Sequence, residues 1–290
     1  MSTTSPQPES VEAAIIRLRA VVRDMGSVVV AYSGGVDSAL VARVAHDELG
    51  ERAVALTADS ESYPDEELSI ARAFAVRWGV HHIVVTSREV DNPDYRANDG
   101  RRCYFCKTEL FDIAERYRHE HGLAWVADGT VLDDLGDHRP GLAAASEHRV
   151  RHPLIEAQLT KAMVRQVARR LDLQVWDKPS FACLGSRFEV GTEVTSAKLA
   201  RVGSVEAVLR REGFAQFRVR WHELGDDRVL ARIEVGAAEM ARWADDELRE
   251  RVTAAAREAG FQWVTLDLLG YGNKAAPPVE DTRRRGAAGS

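Results

Sequence analysis

Short apolar runs alternate with longer amphipathic segments between residues 27 and 178. The apolar runs cover residues 28–32, 53–57, 83–86 and 123–127, with a weaker one at 174–176. The intervening segments repeat apolar residues at helical spacing, as Leu68, Ala71 and Ala75 do, and Thr160 is a predicted N-cap of the last one. This alternation predicts βαβ units, and therefore an α/β fold with a parallel sheet and helices on both faces. Ligands of such sheets bind beyond the carboxyl ends of the strands.

The pattern changes after residue 185. Residues 196–211 and 237–259 have helical spacing, whereas 217–221, 229–235 and 262–268 are typical of strands. The order α-β-β-α-β predicts a smaller C-terminal α+β domain. We therefore expect a first domain over 10–188 and a second over 189–272, with mobile ends at 1–9 and 273–290.

Composition narrows the classes of protein that fit. The 290 residues carry a formal net charge of −6, which disfavours a nucleic-acid partner. No apolar run approaches the roughly 20 residues of a membrane span, and the first residues lack the pattern of a secretory signal. We therefore expect a cytoplasmic protein without a membrane partner. An odd number of cysteines, three in all, disfavours a disulfide framework and favours metal binding or catalysis.

A glycine-rich segment, Ser33-Gly34-Gly35-Val36-Asp37-Ser38, follows the first predicted strand and precedes a predicted helix. Glycines allow close approach of the backbone, and the free N–H groups of a helix start bind anions. The GxxxxGK[ST] pattern of a Walker A loop is absent from it. The alternative is an ordinary strand-to-helix turn with Asp37 as N-cap.

Cys103, Cys106 and Cys183 all follow predicted elements of the first domain, and basic residues flank them, which favours thiolates. From the residues alone four interpretations are open: a redox pair at Cys103 and Cys106, half of a zinc site, three ligands of an iron–sulfur cluster, or unrelated thiols.

The segment at 33–38 resembles the PP-loop of the ATP-pyrophosphatase superfamily. Its members use ATP to adenylate a carboxylate or carbonyl oxygen and release pyrophosphate. The resemblance implies that Ser33, Gly34, Gly35 and Ser38 bind ATP, and that Asp37 is catalytic at the Mg²⁺–pyrophosphate end. It also implies that the segment after the second strand, with Ala58 and Ser60, lies against adenosine.

Further motifs resemble one family of that superfamily, the LarE sulfur transferases. They are Arg102-Cys103-Tyr104-Phe105-Cys106-Lys107, Asp128-Gly129-Thr130 with Asp133-Asp134 and Arg139-Pro140-Gly141, and Lys178-Pro179 followed by Cys183-Leu184-Gly185-Ser186-Arg187. The resemblance covers about Val11 to Gly270. It implies that a pyridinium dicarboxylate mononucleotide derived from nicotinate becomes a thiocarboxylate for a nickel-pincer cofactor.

In that family a cysteine at the position of Cys183 delivers the sulfur. Some members sacrifice it and keep dehydroalanine, whereas others have a three-cysteine set that matches Cys103, Cys106 and Cys183. The latter resemble enzymes whose thiolates hold a 4Fe-4S cluster, so the resemblance favours the cluster type here.

Several residues have a functional and a structural interpretation. Ser186 and Arg187 are candidates for binding a substrate phosphate or carboxylate, or form an exposed turn. Asp128, Thr130, Asp133 and Asp134 line the site or form an acidic N-cap cluster. By family likeness Arg218 binds phosphate, and Glu206 and Glu234 bind a divalent ion; the alternative is a solvated charged face. The candidates are Cys183, Asp37, Ser33, Gly34, Gly35, Ser38, Ala58, Ser60, Asp128, Thr130, Ser186, Arg187, Arg218, Cys103, Cys106, Glu206 and Glu234.

Three other functions compete with sulfur transfer to a mononucleotide. They are a tRNA thiolation enzyme of the same superfamily, an ammonia-using synthetase such as those for GMP or NAD, and a nucleotide-sensing protein without turnover. The acidic charge disfavours the first, and the three cysteines have no role in the second. The family resemblance also implies a sulfide donor and a homo-oligomer, usually a hexamer.

Overall fold

The computed structural model describes residues 10–136, 140–179 and 182–272. The chain divides into two compact units, Met1–Ser204 and Val205–Ser290. The ends predicted to be mobile, 1–9 and 273–290, lie outside the described residues, as do Arg139 and residues 180–181 of the sequence motifs.

The first unit contains most of the helices and the larger sheet. In chain order its elements are α1 Val11–Met25, β1 Val28–Ala31, α2 Val36–Leu49, β2 Ala53–Asp59, α3 Asp65–Trp78, β3 His82–Thr86, α4 Pro93–Ala97, α5 Arg102–Glu120, β4 Trp125–Ala127, α6 Pro140–Glu147, α7 Pro153–Glu156, α8 Lys161–Arg170 and the first part of α9 Ser196–Arg211. Thr160 caps α8 as predicted, since its side chain accepts from the backbone nitrogen of Met163.

The four strands form a parallel sheet in the order β3-β2-β1-β4. Val28 and Val30 of β1 belong to the core formed with α1, α2 and α8, whereas Val29 and Ala31 belong to the core formed with α5 and α6. Successive side chains of a strand point to opposite faces, so a strand that is buried along its whole length needs cover on both sides. The predicted α/β fold with helices on both faces is confirmed.

The weak strand predicted at 174–176 is wrong. These residues form turns, and Arg165 of α8 donates to the carbonyl oxygens of Trp176 (2.9 Å) and Lys178 (3.1 Å). Side-chain donors therefore satisfy carbonyl groups that a strand would direct to a neighbouring strand.

The second unit contains the rest of α9, β5 Phe217–Glu223, β6 Val229–Val235, α10 Asp246–Glu258 and β7 Trp263–Leu266. Its sheet has the order β5-β6-β7, with β5 antiparallel and β7 parallel to β6. The predicted α+β arrangement is confirmed. The single helix predicted at 237–259 is instead a 3₁₀ segment, Ala237–Ala244, followed by α10, because Asp245 caps the backbone nitrogen of Leu248 (3.2 Å) and starts a new helix.

The division after Ser204 falls inside α9, so the segment 189–204 is part of the first unit. The sequence predicts a boundary between independently folding domains near residue 188, and that boundary stays a prediction. Among the described residues, every helix is too short or too polar to cross a membrane.

Candidate active site

The loop between β1 and α2 is built by two serines and two glycines. Gly34 has φ +66°, a left-handed conformation that favours glycine, and Gly35 is the N-cap residue of α2 without a side-chain cap. Ser38 Oγ accepts from the backbone nitrogen of Ser33 (3.1 Å) and lies 3.2 Å from the carbonyl oxygen of Gly35. The predicted strand–loop–helix context of an anion site is present, and the alternative in which Asp37 is the N-cap is wrong.

Long-range partners fix the carbonyl side of this loop. Lys178 Nζ donates to the carbonyl oxygen of Gly34 (3.1 Å) and to the buried carboxylate of Glu67 (2.6 Å). The Tyr63 hydroxyl donates to the carbonyl oxygen of Ser33 (2.9 Å). Glu67 and Tyr63 were not predicted from the sequence, because no local pattern links residues so far from the loop.

The loop after β4 lies directly against the start of α2. A Cβ atom at Gly129 would lie 2.6 Å from the backbone nitrogen of Ser38 and 2.9 Å from the carbonyl carbon of Asp37. Real Cβ atoms do not approach backbone so closely, so this position requires glycine. Asp128 and Thr130, which flank Gly129, are therefore brought beside the phosphate loop.

Asp37 lies in the first turn of α2, and Lys161 of α8 is its counter-ion. Lys161 Nζ lies 3.4 Å from Asp37 Oδ2, while Asp37 Oδ1 is shut off from solvent without a hydrogen-bond partner among the described residues. Burial raises the pKa of Asp37, and Lys161 partly opposes that shift. The nearby Asp134 carboxylate raises it further. An acidic pair beside a phosphate loop suits Mg²⁺, which prefers oxygen ligands.

Asp128 forms a buried pair with His152, which sequence analysis missed. His152 Nδ1 lies 2.8 Å from Asp128 Oδ1, and Thr130 donates to both carboxylate oxygens through its backbone nitrogen (3.0 Å) and hydroxyl (2.8 Å). Burial alone would raise the pKa of Asp128, but the hydrogen bond and charge of His152 lower it.

Asp133 instead supports the N-cap interpretation, since its Oδ2 accepts from the backbone nitrogen of Lys161 (2.7 Å).

A buried carboxylate lies at the ends of β2 and β3. Glu89 accepts from the hydroxyls of Ser60 (2.5 Å), Ser62 (2.8 Å) and Ser87. Ser60 was predicted to lie against adenosine together with Ala58 at the end of β2, and its hydroxyl is engaged by Glu89 in this structure. The adenosine role of these two residues stays a prediction.

The two cysteine-bearing segments are tied to one another and to the sheet. Asn98 Nδ2 donates to the carbonyl oxygens of Glu189 (2.7 Å) and Thr192 (3.1 Å), and the backbone nitrogen of Leu184 donates to the carbonyl oxygen of Ser62 (2.9 Å). These bonds hold the segment that follows Cys183 against the loop that precedes α5 and against the end of β2.

Cys103 and Cys106 occupy the first turn of α5, where they are exposed and half-buried respectively. Burial raises the pKa of Cys106, and the charges of Glu89, Cys183 and Cys103 add to the increase. The predicted thiolate-favouring environment is therefore wrong for Cys106, because burial outweighs Lys107. The charges of Cys183 and Cys103 both act on the Cys106 thiol, so these two cysteines are near enough to influence it.

The described residues around the three cysteines do not form a metal site in this structure. In residues 10–136, 140–179 and 182–272, no three or more His, Cys, Asp and Glu side chains are arranged to hold a metal ion. The exposed Cys103 and the half-buried Cys106 and Cys183 share one neighbourhood without surrounding one point. The cluster remains a prediction.

Arg187 is 2% exposed, so the exposed-turn interpretation is wrong for this residue. Its Nη1 donates to the carbonyl oxygens of Ala182 (2.7 Å) and Cys183 (3.2 Å) and to Ser186 Oγ (2.9 Å). Arg187 therefore fixes the backbone that carries Cys183. A role for Ser186 and Arg187 in substrate binding stays a prediction.

The remaining candidates lie in the second unit. Glu206 accepts from the backbone nitrogen of Val219 (2.9 Å), and Glu234 forms ion pairs with Arg220 (2.9 Å) and Arg232 (3.4 Å). Arg218 stands opposite Glu234 in the register of β5 and β6, with its guanidinium 4.6 Å from the centre of the Tyr271 ring. Their predicted phosphate and divalent-ion roles stay predictions.

One family model matches the first part of this chain, and several known proteins resemble most of its length. The NAD synthase family model matches residues 11–96. An uncharacterized protein of Synechocystis sp. is 45% identical over 90% of this chain and 95% of its own length. An uncharacterized protein of Methanocaldococcus jannaschii is 25% identical over 84% of this chain and 90% of its own length.

A protein of Lactiplantibacillus plantarum, pyridinium-3,5-bisthiocarboxylic acid mononucleotide synthase, is 35% identical over 88% of this chain and 90% of its own length. The two sequences are similar over nearly their whole lengths and not only at a short motif, and this chain has the parallel sheet and phosphate loop. The two proteins are therefore homologous. The chain therefore belongs to the family of pyridinium-3,5-bisthiocarboxylic acid mononucleotide synthases, the LarE family.

Proposed function

We propose that this protein is an ATP-dependent sulfur transferase of nickel-pincer cofactor biosynthesis. It converts a carboxylate of a nicotinate-derived pyridinium dicarboxylate mononucleotide into a thiocarboxylate. The observation that carries the proposal is the juxtaposition of a phosphate loop with cysteine-bearing segments at the carboxyl ends of one parallel sheet. The relative from Lactiplantibacillus plantarum, named for a bisthiocarboxylic acid mononucleotide, supports this substrate class.

The first half of the reaction is adenylation. A carboxylate oxygen of the substrate attacks the α-phosphorus of ATP, the bond to the β-phosphate oxygen breaks, and pyrophosphate leaves with the electron pair. The backbone N–H groups at Gly34 and Gly35 and the hydroxyls of Ser33 and Ser38 bind the phosphates. Asp37 with Asp134 would hold Mg²⁺, which neutralises charge on the departing pyrophosphate.

Adenosine binds at the end of β2 beside Ala58 and Ser60, and Asp128 and Thr130 line the entrance at β4. The backbone contact of Gly129 with Ser38 supports this placement, because it fixes the entrance against the phosphate loop. Arg218 binds the substrate phosphate, and Glu206 and Glu234 contribute a divalent-ion site in the second unit.

The second half is sulfur transfer. A sulfur lone pair forms a C–S bond to the acyl carbon, the C–O bond to AMP breaks, and AMP leaves with the electron pair. Anionic sulfur suits this step because it is strongly nucleophilic near neutral pH. Cys183 holds the sulfur-delivering group on a segment that Arg187 fixes, while Ser186 contacts the substrate.

Cys103, Cys106 and Cys183 would hold a 4Fe-4S cluster, whose open iron supplies exchangeable sulfide. The electrostatic coupling among the three cysteines supports a shared site, although Cys103 must turn inward to complete it. The proposal further includes a partner that donates sulfide to this protein and the assembly of several copies of this chain into a homo-oligomer.

The test is anaerobic turnover with Mg-ATP, the mononucleotide and sodium sulfide, followed by intact-protein mass. Repeated turnover with unchanged chain mass is expected, and Cys103→Ala and Cys106→Ala should lose as much activity as Cys183→Ala. Asp37→Asn serves as the matched control, because it should lose pyrophosphate release itself. A single turnover with dehydroalanine at position 183, and active Cys103 and Cys106 variants, would overturn the cluster. Wild-type protein that releases no pyrophosphate would overturn adenylation.

A further inference from the structure

Tyr95 of α4 has a buried hydroxyl that lies near the Ser62 hydroxyl but forms no well-aligned hydrogen bond with it or with another described residue. The residue is 1% exposed, and its Oη atom has no partner of acceptable geometry among the described residues. The neighbouring Ser62 hydroxyl donates to Glu89 (2.8 Å), and the Ser62 carbonyl oxygen accepts from the backbone nitrogen of Leu184 (2.9 Å). Glu89 itself already accepts from three serine hydroxyls. Ser62 and Glu89, which both act on Tyr95, are thus engaged with one another.

The hydroxyl lies beside the cysteine segments. A Cβ atom at Gly185, two residues after Cys183, would lie 2.9 Å from Tyr95 Oη. After burial, which has the largest effect, the charges of Cys183 and Cys106 raise the pKa of Tyr95. Tyr95 Oη therefore lies within electrostatic range of both sulfur atoms, and it keeps its proton near neutral pH.

A buried tyrosine hydroxyl normally has a hydrogen-bond partner, and leaving one unpaired is unfavourable. An orphaned donor in a native structure calls for an explanation, such as a catalytic role or an ordered water or ion. A protonated hydroxyl can donate to an anion, and the anion that the reaction brings beside Cys183 is sulfur.

We propose that Tyr95 is a positioning residue that donates a hydrogen bond to the sulfur nucleophile, a hydrosulfide anion, as that sulfur attacks the acyl-adenylate. The inference rests on the proposed function and assigns Tyr95 to its second half alone. The C–S bond forms from the sulfur lone pair, the C–O bond to AMP breaks with its electrons going to AMP, and the sulfur-bound proton of hydrosulfide passes to solvent. Tyr95 orients the sulfur and neither gains nor loses a proton.

The test compares Tyr95→Phe with wild type in anaerobic reactions that contain Mg-ATP, the mononucleotide and sodium sulfide. The ratio of thiocarboxylate formed to pyrophosphate released should fall about tenfold or more, because hydrogen bonds to charged groups are typically strong. Raising the sulfide concentration should restore part of that ratio.

Thermal unfolding separates this role from a structural one. Tyr95→Phe should not lower Tm, because the hydroxyl that it removes is unpaired. Tyr32→Phe is the matched comparison for stability, since the buried Tyr32 hydroxyl donates to the carbonyl oxygen of Ala71 (3.3 Å), and its Tm should fall.

An unchanged product ratio in Tyr95→Phe would overturn the inference while leaving the proposed function intact. A fall in Tm like that of Tyr32→Phe, with both products reduced equally, would overturn it in favour of a structural role. Wild-type protein that forms neither product would overturn the proposed function together with the role of Tyr95.

Discussion

The α-carbon of Gly129 packs against the backbone nitrogen of Ser38, so closely that a methyl group on Gly129 would lie 2.6 Å from that nitrogen. This contact joins the loop after β4 to the start of α2, which carries the phosphate loop. The close approach positions Asp128 and Thr130 at the site, and it makes the geometry of the phosphate loop depend on a residue far away in sequence.

Gly129→Ala should therefore destabilise the protein and abolish ATP binding. The methyl group would force the two backbones apart, at a cost of about 1–3 kcal/mol, typical of overpacking. Chemical denaturation and calorimetric ATP titration measure both effects. Gly136→Ala is the control, because no atom of the described residues lies within 4 Å of a Cβ at Gly136. Normal ATP affinity in Gly129→Ala would contradict the dependence of the phosphate loop on this contact.

Lys161→Met should shift the acidic limb of pyrophosphate release to higher pH. Burial raises the pKa of Asp37 and Lys161 opposes that rise, so removing the cation raises the pKa further. Asp37 is then less ionised at any mildly acidic pH, and activity that needs its charge falls earlier as pH decreases. Pyrophosphate release measured across pH tests this. Lys161→Arg, which keeps the charge, should keep the wild-type limb, and a limb unmoved in Lys161→Met would contradict the coupling.

Local patterns predicted the parallel sheet, the phosphate loop and the two cysteine segments, because each depends on residues that are adjacent or one helical turn apart. The partners that complete the site were not predictable in this way. Lys178 holds the carbonyl oxygen of Gly34, and His152 holds Asp128, through contacts between residues distant in sequence. Lys178 belongs to a family motif of the sequence, but neither that motif nor the residues around His152 indicate these particular contacts.

The sequence also misled where burial outweighs neighbouring residues. Lys107 and two arginines flank Cys103 and Cys106, which suggests thiolates, yet burial raises the pKa of Cys106. Arg187 was expected in an exposed turn or at a bound anion; it is buried and holds the carbonyl oxygens of Ala182 and Cys183, and its role in substrate binding stays a prediction. Burial is a property of the packed chain, so flanking residues alone could not reveal it.

Arg187→Met should loosen the segment that carries Cys183. The change removes the Arg187 donor from the Ala182 carbonyl oxygen, at about 1–3 kcal/mol if that oxygen stays buried. The Cys183 carbonyl oxygen loses one of two donors and keeps the backbone nitrogen of Ser186 (2.9 Å). Cys183 should then react faster with iodoacetamide, as followed by mass spectrometry. Cys103, already exposed, is an internal control whose rate should not change. Equal rates at Cys183 in wild type and variant would contradict the positioning role of Arg187.

The Asp128–His152 pair should make stability depend on pH. Burial alone would lower the pKa of His152, but its hydrogen bond and charge pairing with Asp128 raise it overall, while the pKa of Asp128 is lowered overall. The contribution of Asp128 is present above its unfolded value of about 4 and is lost as pH falls through the folded value. The contribution of His152 is fully present below its unfolded value of about 6.5 and is lost as pH rises through the raised folded value.

The pair should therefore stabilise the fold most in mildly acidic solution, by about 1.5–3 kcal/mol for a hydrogen bond between charged groups. His152→Asn keeps an amide that can donate to Asp128 but removes the positive charge. Its loss of stability, measured by urea denaturation between pH 5 and 9, should be largest near pH 5–6 and should shrink above the raised pKa of His152. In an Asp128→Asn background the same substitution should lose that pH dependence, because the carboxylate that raises the pKa of His152 is gone. A loss of stability in His152→Asn that grows toward alkaline pH would show that His152 is not stabilised in its charged form by Asp128.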